Sequence, residues 1–314
     1  MKLVERDAPM NVLVTGSEGL IGKALCRLLD KRGDQAYHYD LTSKWGGNLL
    51  ERSDILAITA RGFDVIIHLA AQSGVEKARS NARDAWELNV MGTLNVLEAA
   101  REHHTPVVIA SSNHVYGDHK GRPTPEKTPL TALDTYSATK IAADVMARSY
   151  WHNYGLPVAV IRNTNCFGPN SPHVDHLIEG TIMSCLNDED LQMRTNGETK
   201  KAYLYVDDAA QAYITIMDAL VAENAEGPIP SGLIAGQAFN VTGENHKALE
   251  VAQEVIAQMG GNIRINLGPK ATDNYDENLD DAKIRELGWE PQVSLKEGIR
   301  RTIDAFTMRY TVPV

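Results

Sequence analysis

The chain alternates short apolar runs with longer stretches in which apolar residues recur every three or four positions. Asn11-Val-Leu-Val-Thr15 predicts a buried strand, and Leu20, Ile21, Ala24, Leu25, Leu28 and Leu29 follow at helical spacing until Gly33 ends the segment. Gln35 to Tyr39 predicts the next strand. Further on, the pattern predicts strands over Val65 to Leu69, Val107 to Ala110 and Val158 to Ile161, and helices over Ala85 to His103 and Tyr136 to Tyr154. Strands separated by helices imply right-handed crossovers. The expected fold is therefore α/β, a doubly wound parallel sheet whose ligands sit beyond the carboxyl ends of its strands.

Polar motifs fall at those ends. Gly16-Ser-Glu-Gly19-Leu-Ile-Gly22 lies between the first strand and the first helix. There Gly16 can make the tight turn, Gly19 lets the backbone approach a pyrophosphate, and Gly22 lets helix and strand pack closely, with the helix N-terminus facing the anion. A glycine triplet in strand-loop-helix context signals dinucleotide binding, whereas elsewhere it is a turn. Asp40 ends the second strand, where a carboxylate accepts hydrogen bonds from adenosine ribose hydroxyls and repels a 2'-phosphate. This favours NAD over NADP; the following Leu41-Thr-Ser-Lys44 holds no Arg, and Lys44 is its only cation for an extra phosphate.

Tyr136-Ser-Ala-Thr-Lys140, at a helix start, puts a phenol and an ammonium on one helical face. Their unperturbed pKa values are about 10 and about 10.4, so a neighbouring cation, joined by a bound nicotinamide ring, favours phenolate and makes Tyr136 a base near neutrality. In isolation the spacing reads as an amphipathic helix with a snorkelling lysine. Its surroundings argue otherwise. Other strand ends carry His68-Leu-Ala-Ala71, Ser111-Ser-Asn-His-Val-Tyr116-Gly117 and Arg162-Asn-Thr-Asn165-Cys-Phe-Gly168-Pro169.

With 314 residues, the chain can bury a sizeable core as one large or two modest domains. Its net charge of -10 argues against a nucleic-acid or anionic-membrane surface, which leaves small molecules as the expected partners. Cys26, Cys166 and Cys185 are far apart and lack metal-ligand spacing, as expected of reduced thiols in a cytoplasmic protein. No apolar run approaches the ~20 residues of a membrane span, and no apolar signal core opens the chain.

The ordered motifs, with Tyr203-Leu-Tyr-Val-Asp-Asp208, Phe239-Asn-Val-Thr-Gly243 and Leu287-Gly-Trp289-Glu-Pro291 after them, resemble the extended short-chain dehydrogenase/reductases. The resemblance implies a Rossmann-type sheet with a smaller, interleaved C-terminal substrate domain. Residues 1–165 would bind NAD, 202–244 would return to that domain, and 166–314 would mainly bind substrate. It implies catalysis by Ser112, Tyr136 and Lys140: Ser112 hydrogen-bonds the substrate, Tyr136 moves the proton that accompanies hydride transfer, and Lys140 also holds the nicotinamide ribose. Implied cofactor contacts, besides Tyr136 and Lys140, are Gly16, Gly19, Leu20, Ile21, Gly22, Asp40, Asn48, Leu49, Leu69, Ala70, Ala71 and Asn89. Implied substrate contacts are Ser111, Ser112, Asn113, His114, Tyr136, Asn165, His176 and Lys201. Paired long helices imply a homodimer.

Within that family the chain looks most like the nucleotide-sugar epimerases and dehydratases, with departures. Dehydratases carry an acidic residue after the catalytic Ser/Thr; here Asn113 and His114 follow Ser112. A 4-epimerase that works through a transient 4-keto intermediate and retains NAD is therefore expected over a 4,6-dehydratase. Lys201 stands where relatives clamp the diphosphate with Arg, keeping the charge but losing the bidentate fork. Lys270 is the only cation between Gly268 and Tyr275, where a second such Arg is expected. The Ser111-to-His114 tetrad also resembles uronate dehydrogenases, so NAD-dependent oxidation of a free sugar or sugar acid is the alternative. His173 and His176 have spacing suited to a metal, but the pattern offers no third ligand, so no metal is expected. Gly227 to Gly236 predicts a surface loop.

Overall fold

The structure is a computed structural model that describes residues 8–43, 46–225, 232–270 and 275–311. Lys44 and residues 227–231 of the expected Gly- and Pro-rich loop lie outside the described residues. Six parallel strands form the central sheet: β1 (Asn11–Thr15), β2 (Gln35–Tyr39), β3 (Val65–His68), β4 (Val107–Ala110), β5 (Val158–Asn163) and β9 (Ala238–Val241), in the order β2-β1-β3-β4-β5-β9. β1 pairs with both neighbours, Val12 opposite Ala36 and Val65. β3 is buried throughout and β5 nearly so, as near-continuous apolar strands covered on both faces should be.

Alternate residues of β1 feed two cores. Val12 and Val14 face α1 (Leu20–Arg32) and α8 (Val206–Ala225), with Leu25, Leu29, Tyr213 and Met217 in one apolar cluster. Leu13 faces the other side, where α2 (Arg52–Thr59), α5 (Thr93–His103) and α6 (Thr135–Tyr154) contribute Ile55, Val96, Leu97 and Ala147. The expected Rossmann-type doubly wound sheet is what the chain forms.

The helix expected over Ala85 to His103 is helical throughout, but it is not α throughout. After the short helices α3 (Val75–Ser80) and α4 (Ala82–Trp86), a π-helical turn over Glu87–Gly92 intervenes before α5. That turn holds buried Asn89, whose carboxamide accepts from Gln72 N (2.7 Å) and donates to Gln72 O (3.2 Å) and Thr139 Oγ1 (2.9 Å). Such turns concentrate beside functional sites.

Of residues 202–244, α8 packs on the central sheet and β9 joins it, whereas the strand that opens the segment goes elsewhere. Strand β8 (Lys200–Tyr205) does not join the central sheet but pairs with β6 (Asn165–Phe167) and antiparallel β10 (Glu244–Lys247) in a three-stranded sheet. The edge beside β5 is already taken by β9, with Ile161 opposite Phe239. The remaining pieces are α7 (Leu177–Asn187), the parallel pair β7 (Leu191–Gln192) and β11 (Ile265–Asn266), α9 (Ala248–Met259), α10 (Ala282–Arg285) and α11 (Leu295–Thr311). Among the described residues no helix is long and apolar enough to cross a membrane.

Candidate active site

The β1–α1 turn is built of backbone. Gly16 has φ +72°, and a Cβ there would stand 2.6 Å from Ala70 N. A Cβ on Gly22 would stand 2.2 Å from Gly16 O, so the helix can lie this close to the turn only with hydrogen in that place. Gly19 is the N-cap of α1, and no side chain caps the helix, so its first amides point unsatisfied into the cleft. That is an anion site made from main-chain donors and the helix dipole. Asp40 lies at the end of β2 on the same cleft.

This cleft, about 390 Å³, is lined by Gly16, Gly19, Leu20, Ile21, Gly22, Asp40, Asn48, Leu49, Leu69, Ala70, Ala71, Ser111, Tyr136, Lys140 and His176. The structure thus brings together nearly all the residues expected around the dinucleotide. Asn89 is the exception, lying behind the wall with its amide bonded to Gln72 and Thr139. It holds the loop after β3. The sequence reading missed Tyr39, Ser73, Leu88, Asn163, Cys166 and Pro172 as lining. Asn163 ends β5, so its place at a strand's carboxyl end was the signal for it.

The catalytic candidates meet at the floor. Asp134 caps α6 by accepting from Ser137 N (3.0 Å), which fixes the first turn carrying Tyr136. One turn on, Lys140 is buried and donates from Nζ to Ala110 O (2.8 Å). Burial pulls its ammonium down to about 8, with Asp144 pulling the other way. Tyr136 does not show the expected lowered pKa. Burial pushes its phenol up to about 12, with the Ser112 hydroxyl as a hydrogen-bond partner acting against that rise. Burial is the largest cause of that rise.

Ser112 begins a 3-10 turn over Asn113–Tyr116 and accepts from His114 N (3.2 Å). His114 stands edge-on to Tyr136, ring centroids 6.1 Å apart, and burial lowers its pKa. Ser111 Oγ and Asn113 Nδ2 are buried without a partner, polar atoms of the kind a ligand satisfies. The turn is braced from behind by Arg162, wholly buried, which pairs with both oxygens of Asp144 (2.8 and 2.9 Å) and donates to Tyr116 Oη (2.9 Å).

A second cleft of about 640 Å³ adjoins the first and is lined by Asn165, His176, Glu179, Arg194, Lys201 and Tyr203 among others. Lys201 is not an uncommitted cation there. Its Nζ lies 3.2 Å from Glu277 Oε1, donates to Tyr275 O (3.0 Å) and sits over the Tyr275 ring. Glu277, buried, also accepts from Ala202 N (3.1 Å). The third metal ligand that the sequence pattern lacked is present in space: His173, Asp175 and His176 bring their donor atoms within 4.8 Å of one another. Asp175 escaped notice because the spacing was read for histidines alone.

A glycine-built anion site, a carboxylate at the second strand end and a Ser-Tyr-Lys group at the cleft floor define a dinucleotide-dependent enzyme. Residues 12–230 match the family described as the NAD dependent epimerase/dehydratase family, and the chain belongs to it, within the extended short-chain dehydrogenase/reductases. It is 30% identical to the UDP-glucose 4-epimerase of Mycolicibacterium smegmatis over 95% of this chain and 98% of that protein. It is 27% identical to the dTDP-glucose 4,6-dehydratase of Neisseria gonorrhoeae over 96% of each. The crystal structure of the Thermus thermophilus UDP-glucose 4-epimerase with NAD superposes with a TM-score of 0.83 at 26% identity, covering 96% of this chain and all of that one. The protein is an NAD-dependent enzyme of the nucleotide-sugar epimerase/dehydratase family.

Proposed function

We propose that the protein is a nucleotide-sugar 4-epimerase, acting in the cytoplasm as a homodimer paired through α5 and α6. The observation that carries the reaction is the turn after Ser112. Asn113 and His114 follow Ser112, with His114 edge-on to Tyr136, and neither is a carboxylic acid that could protonate a leaving hydroxyl. The pairing of subunits rests on exposed Trp86 of α4, Met91 of the π-helical turn that leads into α5, and Val145 of α6.

The uncapped N-terminus of α1 and the glycine turn would hold the NAD pyrophosphate, and Asp40 the adenosine ribose. Bound there, NAD would supply the hydride acceptor for the sugar's C4. Ser112 orients the C4 oxygen, and Tyr136 takes its proton and returns it after the ketose turns over. Lys140 holds the positive charge that favours the phenolate.

Lys201's pairing with Glu277 favours a second reading, oxidation of a free sugar or sugar acid without a diphosphate. One experiment separates the two. Purified protein is incubated with UDP-, CDP-, dTDP- and GDP-hexoses without added reductant, products are followed by NMR, and NADH release is followed with hexuronates. Inverted C4 without NADH release is expected. Stoichiometric NADH from a free sugar acid, with nucleotide sugars untouched, overturns the epimerase reading, and a 4-keto-6-deoxy product replaces it with dehydration.

A further inference from the structure

The charged side chains of the second cleft leave little for an anion. Lys201 is neutralised by Glu277, and Arg194 donates to Asp175 O (3.0 Å) with Asp175 Oδ2 3.6 Å away. The other charged lining groups are Asp175, Glu179, Glu189 and Asp190, all acids. A nucleoside diphosphate entering this cleft brings negative charge into an acidic wall and needs a countercharge.

The countercharge has a place. His173 and His176 lie with rings nearly parallel, centroids 4.6 Å apart, and Asp175 projects its carboxylate to the same point. Both imidazoles line the cofactor cleft, while Asp175 and His176 also line the second cleft. The three ligands therefore sit on the seam between the two. Asp175 and His176 are exposed, so side-chain rotation can close the ligand set around an ion at about 2.0–2.2 Å. Two imidazoles and one carboxylate suit Zn²⁺, Co²⁺ or Mn²⁺ better than Ca²⁺, and three protein ligands leave a position open for a phosphate oxygen.

We propose that His173, Asp175 and His176 bind a divalent transition-metal cation at the seam of the two clefts, and that this cation takes a diphosphate oxygen of the substrate. The bridging role rests on the nucleotide-sugar reading; the metal site stands apart from it. The α1 N-terminus already serves the cofactor's pyrophosphate, so the substrate's diphosphate is the one in need of a cation.

The test uses the untagged full chain, stripped with chelator, with Co²⁺ as the probe. Equilibrium dialysis and visible absorption should give one Co²⁺ per chain, held ~10-fold or more weaker in His176→Ala and Asp175→Asn. Circular dichroism and melting confirm that both variants fold. No stoichiometric Co²⁺, or equal affinity in both variants, overturns the site. Calorimetry of UDP and, separately, of NAD then tests the role: UDP should bind ~10-fold tighter with Co²⁺ present and NAD should not change. UDP affinity indifferent to Co²⁺, or a gain for NAD alone, overturns the bridging role while the metal site stands. Failure of the epimerase reading would show separately, as absence of nucleotide-sugar turnover with and without metal.

Discussion

The cofactor cleft and the substrate cleft handle anions in opposite ways. The first is made of main-chain amides and hydrogens: Gly16 and Gly22 admit no side chain, and the end of α1 is left uncapped. The second is made of charged side chains that have already found one another, Lys201 with Glu277 and Arg194 with Asp175. A backbone site is fixed by the fold and offers its donors unspent. A side-chain site has a charge decided by its partners, so a lysine at the right position is not yet a phosphate ligand.

The largest expected effect lies in a side-chain device that serves the backbone-built half. Arg162 and Asp144 are both fully buried and bonded through two hydrogen bonds, joining β5 to the helix of Tyr136 and Lys140. Arg162→Met strands the Asp144 carboxylate and should cost about 3–5 kcal/mol in denaturant unfolding. A loss within ~0.5 kcal/mol, the range of surface substitutions, would show the pair is dispensable and the scaffold rests on apolar packing alone.

Next in size is the phenol. Tyr136→Phe removes the proton carrier and should lower turnover ~100-fold or more while NAD still binds, since the glycine turn is untouched. Retained turnover in this variant removes Tyr136 from its role and leaves Ser112 or His114 to move the proton.

The contrast between clefts also explains what could be read in advance. Glycines announce themselves: Gly16-x-x-Gly19-x-x-Gly22 after a five-residue apolar strand states both a turn and a close approach, and both are found. Ser111 at a strand end and Tyr136 and Lys140 at a helix start, all singled out in the sequence, share a cleft. The bonds of the Asn89 amide to the backbone of Gln72 could not be read in advance, because only the folded loop creates them. The π-helical turn beside it leaves no mark in apolar periodicity. Glu277, far along the chain, gave no sign of neutralising Lys201, and Asp175 gave none of joining two histidines. Burial of the Tyr136 phenol, which pushes its pKa up, is likewise a tertiary fact that the Tyr-x-x-x-Lys spacing does not carry.

A pH profile sharpens the comparison further. Burial depresses the Lys140 pKa in the folded chain to about 8, so its ammonium is complete well below that pH and is lost as pH rises through it. kcat/KM should therefore fall on the alkaline side near pH 8. Lys140→Arg, whose guanidinium stays protonated, should start from lower activity but lose that alkaline limb. An unchanged limb in the arginine variant assigns the titration to another group.

The smallest effect addresses the substrate cleft itself. Glu277→Gln keeps an acceptor for Ala202 N but withdraws the negative charge 3.2 Å from Lys201 Nζ. If the carboxylate consumes the lysine's charge, the variant should bind UDP ~10-fold tighter in calorimetry, about 1.4 kcal/mol. If it instead holds Lys201 in place for a phosphate, removing it lets the flexible ammonium swing and UDP binds more weakly. The sign of this one change decides whether the substrate cleft lacks a cation or merely keeps one on a tether.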